Sequence, residues 1–311
     1  MPKECEYEGA TSRNFSENDF FHSLPLVAML TETAPRMKRQ HKTTRGKMKY
    51  EKRITVFLDI LGFKQIIKAT EDNQGNDNEE KIKFLHDTIL QIRELLDIDN
   101  GHQAKSKQVT QFSDSVVISF KENEESEVFY TLSDIQTLVI NLALRGIICR
   151  GGISYGKLIH TDKMIFGPAL VEAYETESKA ALYPRIILDR TIIDIGKKHH
   201  AFHHGEIDEK KAILKILNKD TDDMFYIDYF SKAQSELDDP EYDMPTYIDK
   251  LKEIIEAGIK AGKKSPDIKV KYNWMKNKFN TMVKAYTDTN FISALNDQDL
   301  KDYYNELEQI K

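Results

Sequence analysis

Two apolar, β-like runs that each carry an aspartate at a strand end constrain the fold of this chain more than any other feature. The first run spans residues 54–63 and holds Asp59, followed by Gly62; the second spans residues 109–120 and holds Asp114. A carboxylate at the end of a strand that otherwise seeks burial is costly unless a cation or hydrogen bonds offset its charge. The pair therefore predicts a divalent-metal site for a polyphosphate.

Bulk properties exclude several classes of protein. The chain has 311 residues and a formal net charge of -6, which argues against general nucleic-acid binding. No apolar run approaches the roughly 20 residues that span a bilayer, and the N-terminus lacks a secretory pattern. The two cysteines, Cys5 and Cys149, form no CxxC motif, so neither a disulfide scaffold nor a zinc site is predicted. We expect a cytoplasmic protein with no direct nucleic-acid or membrane partner.

The chain divides into three parts. Residues 1–47 lack sustained periodicity and end in the basic run 36–42, which predicts a disordered tail, with contact to an anionic partner as the alternative. Residues 48–200 alternate strand-like and helix-like patterns and are predicted to form the main domain. Residues 201–311 are predicted to be a mainly helical C-terminal extension.

The order of predicted elements indicates the fold class. Strands are predicted at 54–60, on both sides of a turn at 113–115, at 147–159 and at 185–188, and helices at 63–69, 79–96, 128–144 and 167–178. This order predicts an α+β fold: a ferredoxin-like or palm-like core with a mostly antiparallel sheet and helices covering one face. In the extension, we predict a strand at 224–229, a helix at 246–261, and another that begins at Ser265-Pro266.

The acidic pair has the ligand chemistry of a magnesium or manganese site. Both ions prefer hard oxygen ligands that they share with substrate phosphates. Asp59 and Asp114 would supply carboxylates, and the carbonyl of Ile60 a further oxygen. The turn at residues 61–63 opens a helix, where backbone N–H groups favour anions. Two ions about 3.5–4 Å apart stabilise both the attacking and the leaving oxygen of an in-line displacement.

Other interpretations of these residues stay open at this point. A strand-terminal aspartate is also a common turn or capping residue. Phe57, on the same strand face as Asp59, would abut a nucleotide or serve as a core aromatic. Gly151 and Gly152 allow a close backbone approach or form a bulge. The residues alone predict only metal-assisted phosphoryl chemistry.

Four blocks of sequence, in order, resemble the class III nucleotidyl cyclase core. They are FLDILGF at 57–63, FSDSVVISF at 112–120, RGGISYG at 150–156 and GPALVEAYETES at 167–178. Together they resemble most closely the pyrimidine nucleotide cyclases of the bacterial Pycsar anti-phage system. The resemblance covers about residues 50–190.

The resemblance implies an activity and partners. It implies a homodimer with catalytic sites at the subunit interface and two bound Mn²⁺ or Mg²⁺ ions. It implies cyclisation of UTP or CTP to a 3′,5′-cyclic monophosphate with release of pyrophosphate, UTP being the leading substrate. The product would be a second messenger sensed by a separate effector protein, and residues 48–200 would be the catalytic domain.

The resemblance also implies roles for individual residues. By position, Asp59 and Asp114 match the metal-binding aspartates, and Ile60 matches the carbonyl ligand. The turn that cradles phosphate is matched by Leu61, Gly62 and Phe63. Arg150 lies where a phosphate-contacting arginine is expected, although a strand arginine paired with a surface acid is the alternative.

One departure from the family pattern leaves the reaction incompletely specified. Adenylate and guanylate cyclases place Asn and Arg on the late helix, where this chain has Val171 and Glu175. The transition-state cation is therefore unassigned, with Arg150, Lys157 and Arg185 as candidates, from the same subunit or across the dimer. The alternatives are a cytidylate cyclase that makes cCMP and a degenerate cyclase-fold protein that binds nucleotide without turnover. A diguanylate-cyclase-like enzyme would require a GGDEF-like hairpin, which FSDS at 112–115 matches poorly.

Overall fold

The computed structural model describes residues 49–98 and 106–311. The predicted tail at 1–47, with its basic run, lies outside these residues. The strands are β1 Glu51–Ile60, β2 Gln108–Phe112, β3 Ser115–Lys121, β4 Cys149–Thr161, β5 Met164–Phe166, β6 Ile186–Leu188, β7 Leu217–Lys219 and β8 Phe225–Ile227. The α-helices are α1 Phe63–Lys68, α2 Glu79–Leu95, α3 Glu127–Leu144, α4 Pro168–Glu175, α5 Arg190–Lys198, α6 Glu206–Ile216, α7 Pro240–Ala261, α8 Pro266–Tyr286, α9 Thr289–Ala294 and α10 Gln298–Glu306.

The sheet confirms the predicted fold class. Its strand order is β2-β3-β1-β4-β6-β8-β7, with β5 paired to β4 outside this path. All of these pairs are antiparallel except β4 with β6. The first four strands follow the chain order strand–helix–strand–strand–helix–strand and lie in the spatial order 2-3-1-4. That arrangement is ferredoxin-like.

One face of the sheet carries the main apolar core. Successive side chains of a strand point to opposite faces, so Ile54, Val56 and Leu58 share a face of β1, and all three are buried. Val128 and Leu132 of α3 and Ile192 of α5 line the same small internal space as Ile54 and Val56. These helices therefore cover this face and exclude water from it, the main source of stability in such a core.

The opposite face is covered by α4, so the prediction that helices cover only one face was wrong. Tyr174 of α4 contacts the ring of Phe57 edge to face, with 5.5 Å between the ring centroids. The hydroxyl of Ser154 in β4 donates to the carbonyl of Ala169, at 2.6 Å. Gly152 permits this approach, because a Cβ there would lie 2.6 Å from the carbonyl oxygen of Ala173. The predicted helix at 167–178 also ends earlier, since a π-helical turn at Thr176–Ala180 follows α4.

The sheet continues beyond residue 200, because β8 and β7 extend it at the β6 edge. The strand β8 lies within the predicted 224–229. The extension is otherwise helical, as predicted, and α8 begins at Pro266. Ser265 precedes it but makes no side-chain capping bond.

Buried charge fastens α8 to the edge of the sheet. Trp274 of α8 stacks on Tyr183 at 5.6 Å and donates a hydrogen bond to Asp220. Asp220 also accepts from the buried Arg185 at 2.6 Å. A buried guanidinium is tolerated only where carboxylates pair with it, so this cluster fixes the position of α8.

No helix within the described residues combines the length and the apolar character that a bilayer-spanning helix requires.

Candidate active site

The register of three strands places Asp59 between two polar partners. Asp59 of β1 lies opposite Ser115 of β3 on one side and opposite Arg150 of β4 on the other. The Ser115 hydroxyl donates to Asp59 Oδ1 at 3.5 Å, and Arg150 Nη2 lies 3.6 Å from Asp59 Oδ2. Both contacts are long, so neither satisfies the carboxylate fully.

A two-residue turn brings Asp114 to the same end of the sheet. The turn joins Phe112 to Ser115, and its first residue, Ser113, has a left-handed φ of 55°. A positive φ is costly for a residue other than glycine, and such strain is concentrated at functional sites. The backbone N–H of Ile60 donates to the carbonyl of Asp114 at 3.3 Å. The predicted aspartates therefore lie on adjacent strand ends.

The electrostatics of Asp59 reflect this crowding. Burial and, after it, the negative charge of Asp114 raise the pKa of Asp59 to about 6, while Arg150 and the Ser115 hydroxyl oppose the shift. Like charges that share a site disfavour ionisation of one another. A cation bound between the two aspartates would remove this penalty.

Glu177, which the sequence analysis did not single out, completes the cluster. It lies in the π-helical turn after α4, its side chain is only 3% exposed, and Oε1 is 2.5 Å from Arg150 Nε. The pKa of Glu177 is raised to about 7, chiefly by burial and also by the charge of Asp59, against the opposing effects of Arg150 and Lys271. Arg150 thus lies between Asp59 and a buried acid. The alternative, in which this arginine pairs with a surface acid, does not describe the contact with Glu177. The ETES segment in the fourth block contains Glu177, but nothing in its spacing indicates which glutamate turns inward.

The structure has a turn at residues 61–63, where the sequence predicts one. Gly62 has φ 79° and ψ 12°, a left-handed conformation that favours glycine, and it immediately precedes α1. The side chains of Leu61 and Phe63 pack against the core. Only the backbone of this turn is therefore available to an anion. The N–H of Leu61 already donates to the carbonyl of Ile148 at 2.9 Å, which contradicts the prediction for that group and leaves the N–H groups of Gly62 and Phe63.

The structure separates the three candidate cations. Arg150 alone is next to Asp59. Lys157 lies opposite Lys52, seven residues further along β4, or about 23 Å at strand spacing. Arg185 is buried between Asp220 and Asp222, so the prediction that it could serve the site was wrong.

The late-helix positions do not contribute a cation. Val171 is 53% exposed, and Glu175 forms an ion pair with Lys179 at 2.7 Å. Phe57, predicted to abut the nucleotide or the core, packs on Tyr174 of α4.

The residues present fit a divalent ion that is shared with a substrate. Within residues 49–98 and 106–311, no three His, Cys, Asp or Glu side chains are grouped so that they could hold a metal ion by themselves. Magnesium, however, is usually bound by one or two carboxylates together with substrate phosphates. Asp59 and Asp114 supply those carboxylates, and the charge of Asp114 is, after burial, the second cause of the raised pKa of Asp59.

Comparisons with known proteins give structural similarity only. No protein-family model matches the sequence, and no curated protein sequence matches it. The structure is similar to that of the adenylyl cyclase CyaB from P. aeruginosa, with a TM-score of 0.38 and 12% identity over 58% of this chain and 94% of that one. It is also similar to a class III adenylyl cyclase-like ATP-binding protein from Pseudomonas aeruginosa, with a TM-score of 0.29 and 12% identity over 53% of this chain and 40% of that one. The fold is assigned from the strand order and pairing of the chain itself.

Proposed function

We propose that this chain is a pyrimidine nucleotide cyclase that converts UTP into 3′,5′-cyclic UMP and pyrophosphate. The observation that supports it most is the pairing of Asp59 and Asp114 at adjacent strand ends, with Arg150 beside them. The four sequence blocks that resemble the Pycsar cyclases supply the choice of a pyrimidine. In this proposal the product is a second messenger in anti-phage defence, made in the cytoplasm and sensed by a separate effector.

The reaction exchanges one phosphorus–oxygen bond for another. The ribose 3′-oxygen forms a bond to the α-phosphorus, the bond from that phosphorus to the β-phosphate oxygen breaks, and pyrophosphate leaves with the electron pair. The hydroxyl proton passes to solvent. Catalysis of phosphoryl transfer depends almost entirely on positioning and charge stabilisation, so the expected role of the protein is to hold charged groups around the triphosphate.

Each part of the cluster has a place in this scheme. The carboxylates of Asp59 and Asp114 and the carbonyl of Ile60 would hold Mn²⁺ or Mg²⁺. When bound, two such ions would lower the pKa of the 3′-hydroxyl and neutralise the leaving pyrophosphate. In the turn at residues 61–63, the N–H groups of Gly62 and Phe63 would bind phosphate oxygens, and Arg150 would donate to the same oxygens from the other side of Asp59.

We also propose that two copies of the chain form the working enzyme. Two large apolar side chains on elements of the site are exposed. Phe112, next to the hairpin turn that carries Asp114, is 56% exposed, and Val171 of α4 is 53% exposed. Exposed apolar groups of this kind are typical of protein interfaces when they form a patch. Light scattering of the purified protein would test the expected dimer.

Product analysis tests the proposed activity directly. Each of the four ribonucleoside triphosphates is incubated with the protein and Mn²⁺, and the products are separated by chromatography. We expect cUMP from UTP and its loss in Asp59→Asn and Asp114→Asn, with dimerisation unchanged. Cyclic CMP as the main product would favour the cytidylate alternative, and cAMP would contradict pyrimidine specificity. Calorimetric binding of UTP without pyrophosphate release would favour the degenerate alternative.

A further inference from the structure

A buried glutamate stands directly behind the arginine of the candidate site. Glu177 Oε1 and Arg150 Nε form an ion pair at 2.5 Å that lacks the geometry of a hydrogen bond, and the glutamate side chain is 3% exposed. A carboxylate is rarely so buried without a partner that offsets its charge. Burying this ion pair costs desolvation free energy, and an apolar residue at position 177 would avoid that cost. The presence of Glu177 therefore indicates that Arg150 needs a charged partner at this place.

We propose that Glu177 is a positioning residue that holds the Arg150 guanidinium beside Asp59 so that its remaining N–H groups face the triphosphate. This inference rests on the proposed function. The guanidinium carries five N–H donors in a rigid fork. Within the described residues, its charged contacts are Nε with Glu177 and Nη2 with Asp59, so donors are left for phosphate oxygens.

Gly152 shows that the position of Glu177 is built into the backbone. Gly152 is two residues after Arg150 on the same face of β4. A Cβ at Gly152 would lie 2.8 Å from the backbone nitrogen of Glu177 and 2.7 Å from Thr176 Cβ. The π-helical turn is thus pressed onto the strand that carries Arg150, and only glycine permits it.

The C-terminal extension reaches the same carboxylate. Lys271 of α8 acts electrostatically on Glu177, in the same direction as Arg150. Trp274 lies one turn after Lys271 on α8 and stacks on Tyr183, which follows the π-helical turn by three residues. This contact holds α8 next to the turn. Glu177 therefore orients Arg150 from a site that is held by two separate parts of the chain.

The first test observes the contact without relying on turnover. The Arg150 Nε–H resonance is recorded by ¹⁵N NMR in the wild-type protein, in Glu177→Gln and in Glu172→Gln, and is assigned with Arg150→Lys. Glu172 is an exposed glutamate of α4 and serves as the matched control. We expect the resonance to shift and exchange faster with water in Glu177→Gln only. An unchanged resonance in Glu177→Gln would overturn the proposal.

The second test asks whether Glu177 acts through Arg150. In Glu177→Gln we expect kcat for cUMP synthesis to fall about tenfold to a hundredfold while KM changes less than about threefold, because orientation matters most in the transition state. In an Arg150→Ala background, Glu177→Gln should lower kcat less than about twofold further. A purely structural role would give equal losses in both backgrounds and would refute the proposal.

The two tests separate this inference from the proposed function. If the wild-type protein makes no cyclic nucleotide from any triphosphate, the proposed function fails, and the resonance then decides alone whether Glu177 orients Arg150. If cUMP is made and Glu177→Gln keeps the wild-type kcat, the function stands and the positioning role fails.

Discussion

Two polar clusters lie on the same face of the same strands, one around Arg53 and one around Asp59. The polar groups of the first cluster are paired, whereas the carboxylates of the second are not fully paired. Near one end, Arg53 of β1 donates to Glu51, to the carbonyls of Ser106 and Ser119 and to the Ser119 hydroxyl. His160 bonds the hydroxyls of Ser119 and Thr110, both at 2.8 Å. Every side-chain nitrogen in this cluster has a partner.

In the cluster around Asp59, the carboxylates lack fully satisfying partners. The contacts of Asp59 to Ser115 and Arg150 are long, Asp114 repels it, and the pKa values of Asp59 and Glu177 are raised to about 6 and about 7. Fully satisfied polar networks make a core rigid, whereas perturbed carboxylates in a partly open site indicate function. This difference favours a structural role for the Arg53 cluster and makes the Asp59 cluster the candidate binding site.

Removing the arginine from each cluster should give the largest contrast. Arg53→Met leaves several buried acceptors without a donor and should cost about 3–5 kcal/mol of unfolding free energy. Arg150→Met should cost below about 1 kcal/mol at pH 6, because Asp59 and Glu177 can take up protons, but it should lower turnover by about a hundredfold to a thousandfold. Urea unfolding and product assays measure both. Equal stability losses would contradict the comparison.

The pH dependence of stability should have opposite signs in the two clusters. Burial, aided by the charge of Arg53, lowers the pKa of His160 from 6.5 to about 4. The unfolded chain therefore binds the proton first, and His160 removes stability as the pH falls from 6.5 to 4, by about 3 kcal/mol in total. Asp59 and Glu177, with raised pKa values, add stability as the pH falls over much of this range.

Replacing His160 isolates its part of the slope. The free energy of unfolding is measured from pH 4 to 7 for the wild type, His160→Gln and His86→Gln. His86 is 67% exposed and is the control. The difference between wild type and His160→Gln should change by about 3 kcal/mol over the range. A constant difference would show that folding does not change the pKa of His160.

Two glycines of β4 test how closely each region is packed. Gly152 faces the backbone of the π-helical turn, whereas Gly156 lies opposite Arg53 and a Cβ there would meet only Ala169, at 3.4 Å. Gly152→Ala should cost about 1–3 kcal/mol by overpacking and should displace Glu177. Gly156→Ala should change the free energy of unfolding by less than about 1 kcal/mol. Similar values for the two variants would exclude a tight approach at Gly152.

The smallest effect concerns a single hydroxyl between the two clusters. Thr55 Oγ1 is buried and has no hydrogen-bond partner among the described residues. Thr55→Val should therefore be neutral or stabilise the protein by up to about 1 kcal/mol, whereas Ser119→Ala, which removes bonds to Arg53 and His160, should destabilise it by about 1–3 kcal/mol. Thermal unfolding of the two variants measures the contrast. A destabilised Thr55→Val would mean that this hydroxyl has a partner, such as a water molecule.

Local patterns were sufficient to predict most strands and helices of the core, but they missed the strand β5 and the helix α5. Alternating apolar residues in β1, the hairpin around Asp114 and the helical spacing of α3 are properties of short segments. The pairing of Asp59 with Asp114 also followed, because two neighbouring strands that end in acids bring them together. The position of α4 on the second face could not be predicted, because it depends on the missing side chain of Gly152 and on contacts between distant segments.

The sequence by itself determined which residues alternate, where the turns fall and which acids end the strands, since these are set by period and by turn chemistry within a few residues. Only the tertiary structure decided which charges meet. It brought Arg150 between Asp59 and Glu177 and buried Arg185 away from them. The reason is physical: burial and long-range contacts, which no local pattern encodes, decide whether a charge is paired, neutralised or left ready for a ligand.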